Sequence, residues 1–185
     1  MKKKLIIWLI DKKAISEEDA ELYEYALDSL MFMFFPLMIF IVLGIAMGDV
    51  LCCFFIMGTF LTIRRNAGGF HAESPVVCLV ASAIILLASY FVPRVMPETV
   101  TLIPVSVAAA VIVGLVSPIE NKNKLLTADE KHRNKIKTIV VSAIWLCIET
   151  AMYIAGIYIY CVNIATGIFL VLCMQLLCVF TRRRV

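Results

Sequence analysis

His71 and Cys78 are the residues of this chain best suited to chemistry. A histidine that takes the proton of a thiol turns a cysteine into a thiolate, the nucleophile of acyl transfer. Both lie in one polar island, Arg64-Arg65-Asn66-Ala67-Gly68-Gly69-Phe70-His71-Ala72-Glu73-Ser74-Pro75-Val76-Val77-Cys78, set between strongly apolar blocks. On one straight helix, residues seven apart share a face but stand roughly 10 Å from each other, too far for proton transfer. The sequence argues for a bent path instead. Gly68-Gly69 frees the backbone, and Ser74-Pro75 reads as the N-cap and first residue of a helix. His71 then lies on a loop able to fold back over that helix. Cys78 falls in its first turn or just after, where the helix dipole and nearby Arg64 and Arg65 favour the thiolate. From the residues alone, three alternatives stand: nucleophilic catalysis, a metal site, and ordinary loop and core residues. The metal site is the weakest, because His71, Glu73 and Cys78 lack a fourth ligand at a recognisable spacing. No metal and no cofactor are expected.

The elements that position this island are set by composition. Of 185 residues, 62% are hydrophobic and only 17% charged, with a mean hydropathy of +0.96. The charges are also segregated. No Asp, Glu, Lys or Arg occurs in Ser29–Gly48, Ser74–Pro93 or Thr99–Ile119, and Glu149 is the only one in Thr138–Thr181. Uncharged apolar runs of this length match the hydrocarbon thickness of a bilayer. A soluble core so continuous would need far more polar covering than the chain has. The expected fold is all-α: a polytopic integral membrane protein with about six transmembrane helices, preceded by an amphipathic N-terminal helix. Most of the seven cysteines (Cys52, Cys53, Cys147, Cys161, Cys173 and Cys178) fall inside apolar runs without CxxC or metal-ligand spacing. They read as small apolar side chains.

Residues 1–28 form a charged interfacial segment. Leu5–Ile10 is apolar between lysines but too short for a signal peptide. Ser16 with Asp19 three residues on resembles a capping box, and Leu22, Ala26 and Leu30 then recur along one face. The membrane domain spans 29–181, with spans expected at Ser29–Gly48, Val50–Ile63, Val76–Val92, Thr99–Val116, Thr138–Tyr158 and Cys161–Phe180. Gly44 and Gly48 have the spacing of a helix-contact motif. Val50–Ile63 has only 14 residues, short for a crossing unless it tilts or Arg64 and Arg65 snorkel to the boundary. Residues 93–98 read as a tight loop with a proline near each end. The longest polar loops are 64–75 and 118–137, the last two spans are expected to part near Tyr160–Asn163, and 182–185 is a basic tail.

Six spans can be tested against the bias of Lys and Arg toward cytoplasmic loops. With both termini in the cytoplasm, 16 of the 17 basic residues fall on that side and only Arg94 falls outside. The inverse orientation reverses the ratio. The island, both termini and the 118–137 loop are therefore expected to face the cytoplasm of a multi-pass protein.

The run Arg65-Asn66-Ala67-Gly68-Gly69-Phe70-His71-Ala72, with Cys78 seven residues after the histidine, resembles the accessory gene regulator protein B (AgrB) family. Ser117-Pro118-Ile119-Glu120-Asn121-Lys122-Asn123-Lys124 is similar to the family's second polar segment, and length and hydropathy match across the whole chain. The resemblance implies a cysteine endopeptidase of the bacterial cell membrane, active in quorum sensing. Its implied substrate is a short precursor peptide with an amphipathic N-terminal helix, a central signal segment and an acidic C-terminal tail. Cys78 would attack the scissile carbonyl and His71 would move the proton. The tail would leave and a peptidyl thioester would form on Cys78. A cysteine or serine of the peptide would then close a thiolactone or lactone ring.

Around this pair the sequence offers supporting residues without ranking them fully. Lys122 and Lys124 belong to a basic loop able to receive an acidic peptide tail. Arg65 is an electrostatic stabiliser, an interface anchor, or both. Gly68 and Gly69 offer backbone N–H groups for an oxyanion hole. Glu73, Glu120 and Glu149 are the carboxylates able to orient His71, with Glu149 marked by its place inside a span. His132, the only other histidine, reads as a solvated loop residue. A small peptide exporter without proteolytic activity is the competing function. It is disfavoured by the lack of an inverted repeat and of a nucleotide-binding motif, and by the near-absence of ionisable residues in the spans. Besides the peptide, lipid is an expected partner, the sequence is compatible with a homo-oligomer, and nothing in it points to nucleic acid.

Overall fold

The computed structural model describes residues 2–12, 14–16, 19–68, 75–95, 102–119 and 126–182. They form seven helices: α1 (Lys2–Asp11), α2 (Ala20–Ala46), α3 (Val50–Ala67), α4 (Pro75–Val95), α5 (Leu102–Val116), α6 (Ala128–Ile154) and α7 (Tyr158–Arg182). Among the described residues α3, α6 and α7 are long and apolar enough to cross a membrane, and shorter apolar stretches lie at Leu37–Ala46, Ala83–Val95 and Leu102–Val116. The all-helical architecture is that of a polytopic membrane protein. α1 packs against α2, with Ile6 buried and Ile7 and Trp8 exposed.

Several boundaries differ from the sequence expectation. α1 occupies the first part of the interfacial segment, and α2, of 27 residues, begins within that segment and continues into the first span. Ser16 and Asp19 do bond each other, Ser16 Oγ to Asp19 Oδ2 at 2.6 Å and Asp19 N to Ser16 Oγ at 3.3 Å. The helix itself begins one residue after Asp19. α3 runs on through Arg64 and Arg65 to Ala67, giving 18 residues rather than 14. Arginines at a helix C-terminus complement the exposed carbonyls there, so charge marks the membrane boundary and not the helix end. Pro93 lies inside α4, in its last turn, rather than opening a loop. The last two spans part at Ala155–Ile157, where Gly156 takes φ +76°, and not near Tyr160–Asn163. α6 takes in half of the expected 118–137 loop, because Thr127 and Glu130 form a reciprocal capping box that starts the helix at Ala128. His132 is accordingly an exposed helix residue. Pro75 is the first residue of α4, as Ser74-Pro75 predicts.

α3 and α7 form the spine. A core of Phe60, Ile63 and Ala67 from α3, Val113 from α5, and Ile164 and Ile168 from α7 fills one side. A second core joins Phe40 of α2, Cys52 and Ile56 of α3, and Leu86 and Tyr90 of α4 on the other. The helices approach closely at glycines. A Cβ on Gly167 of α7 would stand 2.7 Å from Thr59 Cβ of α3, and one on Gly44 would meet Sγ of Cys53 at 2.6 Å. Gly48, the other half of the small-residue motif, is a turn residue with φ +72° and open space around it. The motif thus marks one real contact and one turn.

Four buried hydroxyls bond within their own helices, which suits an apolar surround. Thr59 donates to the Phe55 carbonyl, Ser89 to Leu86, Thr138 to Asn134 and Thr166 to Val162, all between 2.7 and 2.9 Å. Ser106 instead donates across to Glu149, and Ser142 Oγ has no partner among the described residues.

Successive helices from α3 onward alternate in direction, and their ends gather into two sets. At one end Asp49, the N-cap of α3, meets Arg94 in the last turn of α4 in an ion pair of 2.9 Å. Arg94 also donates to the Tyr90 hydroxyl and carbonyl at 2.6 Å each and lies 3.7 Å from the Tyr90 ring centroid. Both charged side chains are about a third exposed, so solvent screens much of the pair. Arg94→Leu should lower stability by about 1 kcal/mol and leave peptide processing at the wild-type rate. A thermal melt in detergent together with a processing assay checks both halves.

Candidate active site

The opposite end of the bundle carries the island. α3 ends on Ala67, and Gly68 caps it by donating its N–H to the Arg64 carbonyl at 3.1 Å. That N–H is therefore engaged and is not free as an oxyanion donor. What Gly68 supplies is a close approach. Its φ of +72° and ψ of −168° fall in a region that is essentially closed to residues with a Cβ. It forms a parallel bridge with Ile119, whose N–H donates to the Ala67 carbonyl at 3.0 Å. A Cβ at position 68 would run into the Ile119 carbonyl oxygen.

This bridge joins the two segments that carry the sequence pattern. Residues 65–68 lead toward His71, and Ser117–Ile119 lead toward Glu120, Lys122 and Lys124. Ser117 is itself fixed, its hydroxyl donating to the Val113 carbonyl at 2.6 Å. Gln175 of α7 closes the arrangement from beneath: its Nε2 lies 2.8 Å from Ser117 Oγ and 3.4 Å from the Ala67 carbonyl oxygen. Three helix ends, those of α3, α5 and α7, are tied at one point. Sequence reasoning missed Ser117 and Gln175. The available signal was Gln175 itself, one of two amides, with Asn163, in the apolar run of the last span.

The remaining site residues divide clearly. Arg65 is exposed in the last turn of α3, and Arg64 lies 5.3 Å from the Phe60 ring centroid. The backbone of Cys78 is the fourth residue of α4, in its first turn. Its side chain, and the whole of Gly69, His71, Glu73, Glu120, Lys122 and Lys124, lie outside the described residues. Among the described residues no cluster of His, Cys, Asp or Glu could hold a metal ion.

Glu149 is elsewhere. It is fully buried, accepts from Ser106 Oγ at 2.9 Å, and its carbonyl faces Cys161 Sγ at 3.3 Å. Ser106 precedes Ser117 by 11 residues on α5, so Glu149 stands roughly 16 Å along that axis from the bridge. Glu149 thus stands apart from the Gly68–Ile119 bridge. Its Oε2 has no hydrogen-bond partner among the described residues. Glu149→Gln keeps an acceptor for Ser106, and the amide leaves processing at the wild-type rate if Glu149 is only structural. A hundredfold loss on this change would return Glu149 to the catalytic machinery.

The sequence model of the accessory gene regulator B family matches residues 2–179, nearly the whole chain. The chain belongs to that family. Neither a curated protein nor a solved structure matches it. Membership carries a role in quorum-sensing peptide processing at the membrane. Both polar segments singled out above fall within the matched range, and they are the two that meet at Gly68 and Ile119.

Proposed function

We propose that the protein is a membrane-embedded cysteine endopeptidase that removes the C-terminal tail of a short signal-peptide precursor. The observation that carries the reading is the meeting of the His71-bearing and lysine-bearing segments at the Gly68–Ile119 bridge, beside a family match over nearly the whole chain. Cys78, in the first turn of α4, is the nucleophile, its thiolate favoured by the helix N-terminus. His71 accepts the thiol proton. The new S–C bond forms as the scissile C–N bond breaks, and His71 returns the proton to the leaving amine. A thiol or hydroxyl of the peptide then attacks the thioester carbonyl, closes a ring and frees Cys78. Exchange of a thioester for a thiolactone keeps most of the acyl activation, whereas hydrolysis discards it, so water must be kept from the site. A position at the membrane boundary helps to do so.

The same reading places the loop end of the bundle and both termini in the cytoplasm, on the distribution of lysine and arginine. Residues 1–28 form the interfacial segment, 29–181 the peptidase domain with its 64–75 and 118–137 regions, and 182–185 the basic tail. Lys122 and Lys124 receive the acidic tail of the peptide, and Arg65 supports the developing charge. Gly69 remains an oxyanion donor, with Glu73 or Glu120 as the carboxylate partner of His71.

Co-expression with a precursor peptide, followed by mass spectrometry of the products, tests the reading. Processing should yield the freed tail and a signal segment lighter by one water than its linear form. Intact precursor carried across the membrane, with no cleaved product, would instead identify an exporter.

A further inference from the structure

Gln175 lies fully buried about two turns before the end of α7, and its buried neighbours on that helix, Ile168, Val171 and Met174, are all apolar. An amide placed among such residues costs free energy unless its bonds return it. Here the direction of those bonds is fixed by the partners. The Ser117 hydroxyl spends its only proton on the Val113 carbonyl, at 2.6 Å, so its oxygen must accept. The Ala67 carbonyl can only accept. Both therefore require the NH2 side of Gln175, at 2.8 and 3.4 Å. One side chain thus reaches the last residue of α3 and the first residue after α5, the two points from which the chain leads to His71 and to Lys122.

A residue chosen for packing alone would be leucine or methionine. The same helix supplies a comparison at its other end. Asn163 is also fully buried, and it accepts from Cys52 Sγ at 3.4 Å. It lies 12 residues, roughly 18 Å, from Gln175 along α7. Both amides tie α7 to its neighbours, but only Gln175 does so where the two polar segments meet.

We propose that Gln175 is a positioning residue of the peptidase: acting through Ala67 and Ser117, it holds the His71-bearing and lysine-bearing segments in register. This rests on the peptidase reading. The test uses the full-length protein in proteoliposomes and a synthetic precursor peptide, with kcat and KM measured separately. Gln175→Met, Ser117→Ala, their combination and Asn163→Leu are compared. The pH dependence of Cys78 alkylation by iodoacetamide is followed in each by mass spectrometry of its peptide.

Gln175→Met should lower kcat by about one to two orders of magnitude, the effect of a small misplacement of reacting groups, with KM within about twofold of wild type. Ser117→Ala should behave alike, and the double variant should be no worse than the poorer single one. Asn163→Leu should keep the wild-type kcat. Alkylation of Cys78 in Gln175→Met should lose reactivity at neutral pH and regain it as pH rises, as expected of a thiol without its base. An unchanged kcat in Gln175→Met overturns the proposal, and so does an equal loss in Asn163→Leu, which would make both amides merely structural. Should Gln175→Met fail to reach the membrane, full activity in Ser117→Ala overturns it as well. Absence of cleavage by the wild type overturns the peptidase reading and takes this inference with it.

Discussion

Cys78→Ala should abolish precursor cleavage, a loss of about a thousandfold or more, since no other group can form the covalent intermediate. His71→Ala should cost about 10² to 10⁴ at neutral pH, the usual contribution of a positioned general base. The two variants should also differ in kind. Without His71 the thiol must ionise unaided, and an ordinary thiol does so mainly above pH 8. Residual cleavage by His71→Ala should therefore climb with pH, whereas Cys78→Ala should stay inactive throughout. Cys147→Ala and His132→Ala are the matched controls, because both positions are exposed. Mass spectrometry of the peptide over a pH series separates the outcomes. Cleavage retained by Cys78→Ala would assign the nucleophile wrongly, and the island would then be a binding loop.

Gly68→Ala should have the second-largest effect. Two costs combine at this position. The backbone conformation is one that a Cβ makes expensive, by about 1 to 3 kcal/mol. The added methyl group would also strike the Ile119 carbonyl oxygen, which belongs to the backbone and can yield only by moving the Ser117–Ile119 segment. Gly48 and Gly156 provide the comparison: their φ values are +72° and +76°, yet a Cβ at either meets nothing within 4 Å. Alanine there should cost about 1 to 2 kcal/mol of conformational strain with no loss of cleavage. At Gly68 the bridge should open, and kcat should fall by about tenfold to a hundredfold as the two segments separate. Thermal melts and cleavage rates for the three variants decide the matter. If Gly68→Ala cleaves as fast as Gly48→Ala, the bridge does not position the site.

The two tests address different links of one argument. The first concerns the groups proposed to act on the substrate. The second concerns the scaffold that brings them together, and Gln175 belongs with it. A loss confined to the first set would mean that His71 and Cys78 are positioned by α4 and its preceding loop alone.

The broad architecture was legible in the charge pattern. Charge-free apolar blocks announce helices in a membrane, because only a helix or a closed barrel satisfies its backbone there. Local structure was equally legible where one short segment suffices: Pro75 starts α4, because its fixed φ suits the first helical residue. Helix ends were less legible. Hydropathy reads side chains and not backbone, so Arg64 and Arg65 looked like loop although α3 continues beneath them to Ala67. In the same way the polar first turns of α6 looked like loop although Thr127 and Glu130 cap a helix there. Gly156, a small residue inside a long apolar run, was passed over as the turn it makes.

How the two polar segments are tied together emerges only from the packing of the helices. Gly68 and Ile119 lie 51 residues apart in sequence, and Gln175 reaches partners 58 and 108 residues away. No local pattern encodes such pairings. They exist because α3 and α5 end beside the C-terminal part of α7, and because a carbonyl, a hydroxyl and an amide buried together must find one another. The partner of Glu149 has the same origin: its place in a span was evident from the sequence, but its bond to Ser106 was not. The axial distance from Ser106 to Ser117 separates it from the bridge, and that distance became visible only when α5 and α6 were packed side by side.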